Sequence, residues 1–220
     1  MLPLFPLGTV LFPGLVLPLH VFEERYRQLV RDLLDLPEDE RQIGVIAIRE
    51  GREVGTDGLK ALFAVGCTAQ VRRVQSHEDG RYDLVTVGSR LFRLRALHAD
   101  RPYFTGEVDW LPDDLGDEVG VQHLDASVRE AFADYLAALG EASGQAIEAP
   151  DLPDDPLVLG HLVAATALLD LADRQDLLDQ PDGRARLRRE LTLLRREAGF
   201  LRVLTAAPAP ELTRTQVSPN

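Results

Sequence analysis

The chain has 220 residues, a formal net charge of -12 and one cysteine, Cys67. A single cysteine excludes an internal disulfide framework and a cysteine-based zinc cluster, and the acidic balance disfavours nucleic acid and anionic membranes as partners. The charge is unevenly placed, because residues 109–182 carry 18 acidic and 2 basic side chains while residues 1–108 are nearly neutral. This break predicts a chain built in two parts.

The N-terminal 21 residues are apolar but interrupted by four prolines, and no Lys or Arg precedes Arg25. Such a segment resembles neither a signal peptide nor a membrane-spanning helix, so we expect a cytoplasmic protein with no membrane contact. Its prolines instead predict two short strands, at residues 2–5 and 15–19. Apolar residues at helical spacing from Phe22 onward predict a helix that Pro37 ends.

Short apolar or alternating runs dominate from there to residue 110. The predicted strands cover residues 43–48, 62–65, 68–74, 82–87, 91–97 and 103–110. Gly51 and Gly55 break the stretch after the first of them. Gly66, between residues 62–65 and 68–74, predicts a strand with a bulge or bend, and residues 78–80 predict a hairpin turn. Several short strands with one early helix predict a small β-barrel or rolled sheet.

Helical spacing replaces this pattern after residue 110. Apolar stripes predict a helix over residues 124–139 with Gly140 as its C-cap, and a helix over residues 157–172 that Asp155 caps. The second stripe consists of Leu157, Leu162, Ala165, Leu168 or Leu169, and Ala172. A short helix around residues 177–178 and a basic last helix over residues 187–201 follow, the last expected to pack beside the acidic helices.

The catalytic motifs that sequence alone can reveal do not occur. There is no phosphate-binding P-loop and no Gly-x-Ser-x-Gly elbow, and the five histidines lack metal-ligand spacing, so we predict neither cofactor nor metal. Lys60 is the sole lysine, with no serine within fifteen residues for a Ser-Lys dyad. Cys67 lies in strand-like sequence and is interpreted as a small buried hydrophobe.

Two alternatives stay open beside a binding role. Arginines on neighbouring predicted strands could form a basic strip for RNA, although the polar face of a half-exposed sheet is favoured. These arginines are Arg72, Arg73, Arg90, Arg93 and Arg95. The other alternative is an uncharacterised hydrolase that uses Cys67 or a carboxylate pair, and a cleft that unites Cys67 with His20 or His98 would favour it.

The N-terminal segment carries the most specific motifs. It reads Leu-Pro-Leu-Phe-Pro-Leu-Gly at residues 2–8, Phe-Pro-Gly at 12–14 and Leu-Pro-Leu-His-Val-Phe-Glu-Glu-Arg-Tyr at 17–26. Further matches follow in order at residues 43–54, 65–69, 83–94, 103–110 and 171–178. In this combination residues 1–205 resemble the N-terminal, substrate-binding domain of the Lon protease family, and above all the small stand-alone bacterial proteins built from that domain.

The resemblance implies an α+β fold. A PUA-like β-barrel (a pseudo-barrel) with one early helix would cover residues 1–112, a C-terminal helical bundle residues 113–205, and a disordered tail residues 206–220. In the full protease this domain engages unfolded or tagged substrates, and we do not expect the ATPase and protease domains in this chain. We therefore expect a non-enzymatic module that binds unfolded or tagged proteins and peptides, as an adaptor or holdase, alone or with a protease system.

The candidate binding residues lie in the motif-bearing N-terminal segment. Prolines hold its backbone extended, and extended edges can accept a peptide strand. The loop at residues 12–14 and the helix start would frame an apolar groove with a charged rim. The candidates are Phe12, His20, Phe22, Glu23, Glu24, Tyr26 and Arg27. The alternative, that the aromatic residues are core and the charges solvated, stays open, as does the oligomeric state.

Overall fold

The computed structural model describes residues 1–49, 61–117 and 119–206. Gly51, Gly55, Lys60 and residues 207–220 of the predicted tail lie outside the described residues. The strands are β1 (Leu2–Leu7), β2 (Val16–Val21), β3 (Gln42–Ala47), β4 (Val65–Ser76), β5 (Tyr82–His98) and β6 (Thr105–Trp110). The helices are α1 (Glu24–Leu34), α2 (Val121–Ser143), α3 (Pro156–Thr166), α4 (Leu171–Leu178) and α5 (Gly183–Ala206), with a 3-10 turn at Glu38–Glu40. The fold is α+β, as predicted.

The strands form one mixed sheet in the order β2-β5-β4-β3-β1-β6. The β1–β3 pair is parallel and the others are antiparallel. Because β5 also pairs with β6, the strands β5, β4, β3, β1 and β6 close a circuit. Within the described residues β2 pairs only with β5, so its other edge is free.

Two glycines of the sheet bear on the sequence prediction, which is wrong at Gly88. Residues 82–87 and 91–97 were expected as separate strands, but β5 is continuous over 17 residues. A Cβ built on Gly88 would lie 2.1 Å from the Phe12 carbonyl oxygen, so this glycine permits close backbone approach and does not break the strand. The bulge or bend expected near Gly66 is confirmed as an irregularity in a continuous strand, since β4 shifts register directly after Cys67 and again after Val71. The hairpin turn is confirmed, with Gly80 at a φ of +79°.

For helix α2, the predicted buried face is correct and the predicted C-terminal end is wrong. Helix α2 buries Val128, Phe132 and Tyr135 of the predicted stripe. It runs through Gly140, the predicted C-cap, and ends at Gly144, whose φ of 67° is the left-handed conformation of a helix terminus.

Helix α3 begins as predicted but presents a different face. The Asp155 carboxylate accepts a hydrogen bond from the Leu157 amide at 2.8 Å, which confirms the N-cap. The helix ends at Thr166, and residues 171–178 form the separate α4. Helix α3 buries Leu159, His161, Val163 and Ala164, so the stripe predicted for it is wrong.

The helices share cores with the sheet and with one another. The cluster inside the sheet includes Ala164, Leu177, Leu178 and Leu193 from three helices. A second cluster lies between α2, α3 and α5. The division between residues 112 and 113 stays a prediction.

Arginines of α5 pair with acidic side chains of the preceding helical segment, as expected. Arg189 binds Asp176 at 2.5 Å and Arg196 binds Asp173 at 2.5 Å, while Arg202 pairs with Asp134. Such pairs at the surface contribute little stability individually.

A buried polar cluster lies between α5 and α3. Arg186 and Glu190 are each 1% exposed, and Arg186 donates to the Leu177 carbonyl at 3.1 Å. His161 bonds Asp113 at 2.9 Å. Neither carboxyl oxygen of Glu190 has a hydrogen-bond partner among the described residues, and burial raises the pKa of this group well above 4.5. Burial therefore favours the neutral, protonated form of Glu190, although the nearby Arg186 guanidinium acts in the opposite direction.

Candidate functional site

A groove of about 720 Å³ lies between β1, β2 and the start of α1. Its lining is mainly apolar and combines aromatic rings with prolines, together with one imidazole and one ion pair at the rim. The lining residues are Phe5, Pro6, Leu7, Pro18, Leu19, His20, Val21, Phe22, Glu23, Arg25, Tyr26, Ile48 and Phe104. Concave apolar surfaces with a few polar groups are typical binding sites.

Two stacked aromatic rings form the base of the groove. Phe5 of β1 and Tyr26 of α1 have ring centroids 4.1 Å apart and planes inclined by 24°. Tyr26 is 6% exposed, and burial is the main cause that raises the pKa of its hydroxyl. The Arg25 guanidinium lies 4.6 Å from the Tyr26 ring centroid. These contacts hold the first turn of α1 against the sheet and make the base rigid.

Phe22 lies at the mouth of the groove, in the short segment between β2 and α1. This residue is 62% exposed, although phenylalanine is among the residue types most often buried. The His20 ring lies 6.1 Å away. Beside it the Glu23 carboxylate accepts a hydrogen bond from Arg25 Nε at 2.8 Å. The rim charges therefore compensate each other, and the exposed aromatic ring is the main feature available to a ligand.

Two histidines share one carboxylate next to the groove. His20 lies opposite Asp83 in the β2–β5 pairing, and its Nδ1 is 2.6 Å from Asp83 Oδ1. His77 Nε2 is 2.6 Å from the other oxygen. Hydrogen bonds from both rings lower the pKa of Asp83 below its ordinary value. The carboxylate fixes the orientation of the His20 ring at the groove wall.

The structure brings four of the seven candidate residues together in this groove: His20, Phe22, Glu23 and Tyr26. The other three lie outside its lining. Phe12 is 1% exposed in the core, with its ring 6.2 Å from that of His161. Glu24 pairs with Arg31 at 3.0 Å, and Arg27 donates to the Gly80 carbonyl at 2.7 Å.

The sequence did not predict the residues that line the groove from outside the segment between β2 and α1. Phe5, Ile48 and Phe104 reach the groove from β1, from the end of β3 and from the segment before β6. Only Phe5 carried a local signal, because it belongs to the proline-rich opening. Ile48 and Phe104 reach the groove through strand pairing between distant residues.

The other predicted chemistry has little support in the described residues. Cys67 is fully buried, which raises the pKa of its thiol to about 12, and it does not line the groove. Arg90 stacks on the Trp110 ring at 4.1 Å, Arg93 pairs with Asp179 at 3.3 Å, and Arg95 pairs with Asp109. Across residues 1–49, 61–117 and 119–206 no cluster of three or more His, Cys, Asp or Glu side chains is suited to a metal ion. None of the helices described combines the length and hydropathy of a membrane span.

Comparison with known proteins gives a consistent match. Residues 1–196 match the family model of the ATP-dependent protease La (LON) substrate-binding domain. Lon protease 2 of Sorangium cellulosum is 30% identical over 205 residues, covering 91% of this chain, and Lon protease of Escherichia coli K12 is 26% identical over 205 residues, covering 92%. The match covers 25% of either relative, so the chain spans about a quarter of their length.

Solved structures show the same fold. The Lon N-terminal domain protein from Xanthomonas campestris superimposes with a TM-score of 0.61 at 28% identity, over 87% of this chain and 96% of that one. The N-terminal domain of Mycobacterium avium complex Lon protease gives 0.60 at 18% identity, over 88% and 97%.

Proposed function

Because this chain belongs to the family of the Lon substrate-binding domain, we propose that it binds exposed segments of unfolded or tagged proteins in the groove between β1, β2 and α1. The observation that carries the proposal is Phe22, an aromatic side chain that is 62% exposed over an apolar groove. Folded proteins bury their apolar segments, so a surface of this kind selects chains that have lost or not yet reached their fold.

Rigidity of the groove base supports the same function. The Phe5–Tyr26 stack forms the groove base in the free chain, with ring centroids 4.1 Å apart. A preformed surface avoids the cost of ordering side chains on binding. Its few polar groups compensate each other, so it favours apolar segments without demanding one sequence.

We propose further that the chain acts without catalysis, in the cytoplasm, as an adaptor or holdase. In support, the matched family is a substrate-binding domain, and the relatives named above are Lon proteases. An adaptor would pass bound segments to such a protease, whereas a holdase would only retain them.

The architecture that we propose for this role is a PUA-like barrel with a helical bundle docked on it. The strand circuit through β5, which pairs with both β4 and β6, supports the barrel. The core shared by α2, α3 and α5 supports the bundle.

A titration against one protein in two states tests the binding function. Fluorescence anisotropy would follow a labelled disulfide-containing model protein, once native and once reduced and carboxymethylated so that it stays unfolded. We expect saturable binding of the unfolded form and none of the native form. Equal binding of both forms, or binding of neither, would contradict the proposal.

A further inference from the structure

The groove runs along the edge of β2 and not along one face of the sheet. Pro18, Leu19, His20 and Val21 all line it. Successive side chains of a strand point to opposite faces, so four consecutive residues can contact one groove only if it lies against the strand edge.

The backbone groups on that edge have a defined direction. The Leu15 carbonyl accepts from the Gly88 amide at 2.8 Å, and so points toward β5. In an antiparallel pair the direction alternates with each residue, so the groups of Leu17, Leu19 and Val21 point toward β5 and those of Val16, Pro18 and His20 point away. Pro18 agrees with this assignment, because a proline has no N–H and is tolerated in a strand where the N–H would point away from the partner strand.

The opposite wall is the second half of β1, which has no strand partner on the groove side among the described residues. β1 pairs with β6 only at Leu2 and Pro3, and the Leu4 amide donates to the Phe104 carbonyl at 2.8 Å. Beyond that point the Leu7 carbonyl accepts from Ile48 on the β3 side, so by the same alternation Pro6 points its carbonyl into the gap. Pro6 cannot donate, so this edge offers little pairing and β2 offers more.

We propose that an extended segment of a bound protein adds as a strand to the free edge of β2. This proposal rests on the proposed function and specifies how the segment is held. One ligand residue pairs with both the N–H and the C=O of His20, and a second ligand amide donates to the Pro18 carbonyl. The ligand side chains on one face then lie over Phe22 and the stacked rings at the groove base.

Charge complementarity favours a backbone-recognised segment over a charged one. The lining contains one acidic and one basic side chain, Glu23 and Arg25, which pair at 2.8 Å, and the His20 ring is hydrogen-bonded to Asp83 at 2.6 Å. The lining therefore presents no unpaired carboxylate or guanidinium to an acidic or basic motif, whereas the strand edge carries unmatched donors and acceptors. Main-chain hydrogen bonds supply affinity in such strand addition, and alternate side chains supply selectivity.

Two matched comparisons test the mode of binding. The first uses an acetylated eight-residue peptide of alternating valine and lysine with a central phenylalanine, and the same peptide with its alternate backbone amides N-methylated in either register. We expect the parent to bind the wild-type chain and one methylated register to bind about tenfold more weakly, since a lost backbone bond costs about that much. If both registers bind as the parent does, strand addition is wrong and the proposed function survives. If the parent does not bind while unfolded protein does, strand addition is equally wrong.

The second comparison uses His20→Pro against His20→Ala. Both variants lose the imidazole, but only the proline removes the outward N–H, and a proline is tolerated on a free edge. We expect peptide affinity of His20→Pro to be about tenfold below that of His20→Ala, at equal thermal midpoints. Equal affinities would overturn the proposal. If His20→Pro fails to fold, the methylated peptides decide alone.

Discussion

Truncating Phe22 separates binding from stability more cleanly than any other change in the groove. Full burial of a phenylalanine side chain stabilises by about 1.5–3 kcal/mol. Because 62% of this side chain is exposed in the free protein, a ligand that covers it gains about 1–2 kcal/mol. We therefore expect Phe22→Ala to weaken capture of an unfolded protein about 5- to 30-fold.

The matched control is Phe200→Ala, at an equally exposed phenylalanine on α5 that does not line the groove. Both variants should unfold in urea within about 1 kcal/mol of the wild type and within about 0.5 kcal/mol of each other, because both residues are exposed to a similar extent. Anisotropy with the carboxymethylated protein measures the affinities. The reasoning is refuted if Phe22→Ala binds like the wild type, or if Phe200→Ala weakens binding as much.

Three further predictions concern the scaffold. Burial raises the pKa of Glu190 well above 4.5, so the free energy of unfolding should fall as the pH rises from 4.5 to the pKa of the folded state. In urea midpoints measured against pH, Glu190→Gln should flatten this fall. Parallel pH profiles for the variant and the wild type would contradict the prediction. Because burial raises the pKa of its thiol to about 12, Cys67 should resist alkylation at neutral pH until urea unfolds the chain. Alkylation of the native protein, detected by mass spectrometry, would contradict this prediction. Asp155→Ala should cost about 1 kcal/mol through loss of the α3 N-cap, and Asp154→Ala nearly nothing; equal urea midpoints for the two variants would count against the cap.

Local sequence signals predicted the elements whose cause is local. Prolines marked the extended strands β1 and β2, the turn before Gly80 followed from glycine chemistry, and the N-cap of α3 followed from Asp155. The predicted face of α1 was right for Tyr26, Leu29, Val30 and Leu33, which are all buried. It was wrong for Phe22, which lies before the helix and is exposed. In each case the determining residues lie within one turn of the feature.

Features that depend on distant pairing could not be foreseen in this way. Gly88 locally indicates a strand break. In the structure it lies within a continuous strand, and a side chain there would clash with the Phe12 carbonyl of the loop between β1 and β2. Helix α3 faces two cores at once, and its buried face therefore departs from one apolar stripe. The groove itself exists because β2 and the second half of β1 lack partners on one side in the described structure, a property of sheet order.

Phe12 shows the same limit at the level of the site. It belongs to the motif-bearing opening and is aromatic, which are the features that made it a candidate, but the structure buries it beside His161. Phe22 has the same local character and stays exposed because it lies where β2 ends and α1 begins.

Photo-crosslinking tests the central claim most directly, that unfolded segments bind between β1, β2 and the start of α1. A carboxymethylated model protein carrying benzophenone groups would be irradiated with the wild-type chain and the adducts mapped by mass spectrometry. We predict adducts within residues 5–7 and 18–26, lost in the presence of excess unlabelled unfolded protein. Competed adducts confined to the arginines of β4 and β5, or to the end of α5 near Phe200, would contradict it.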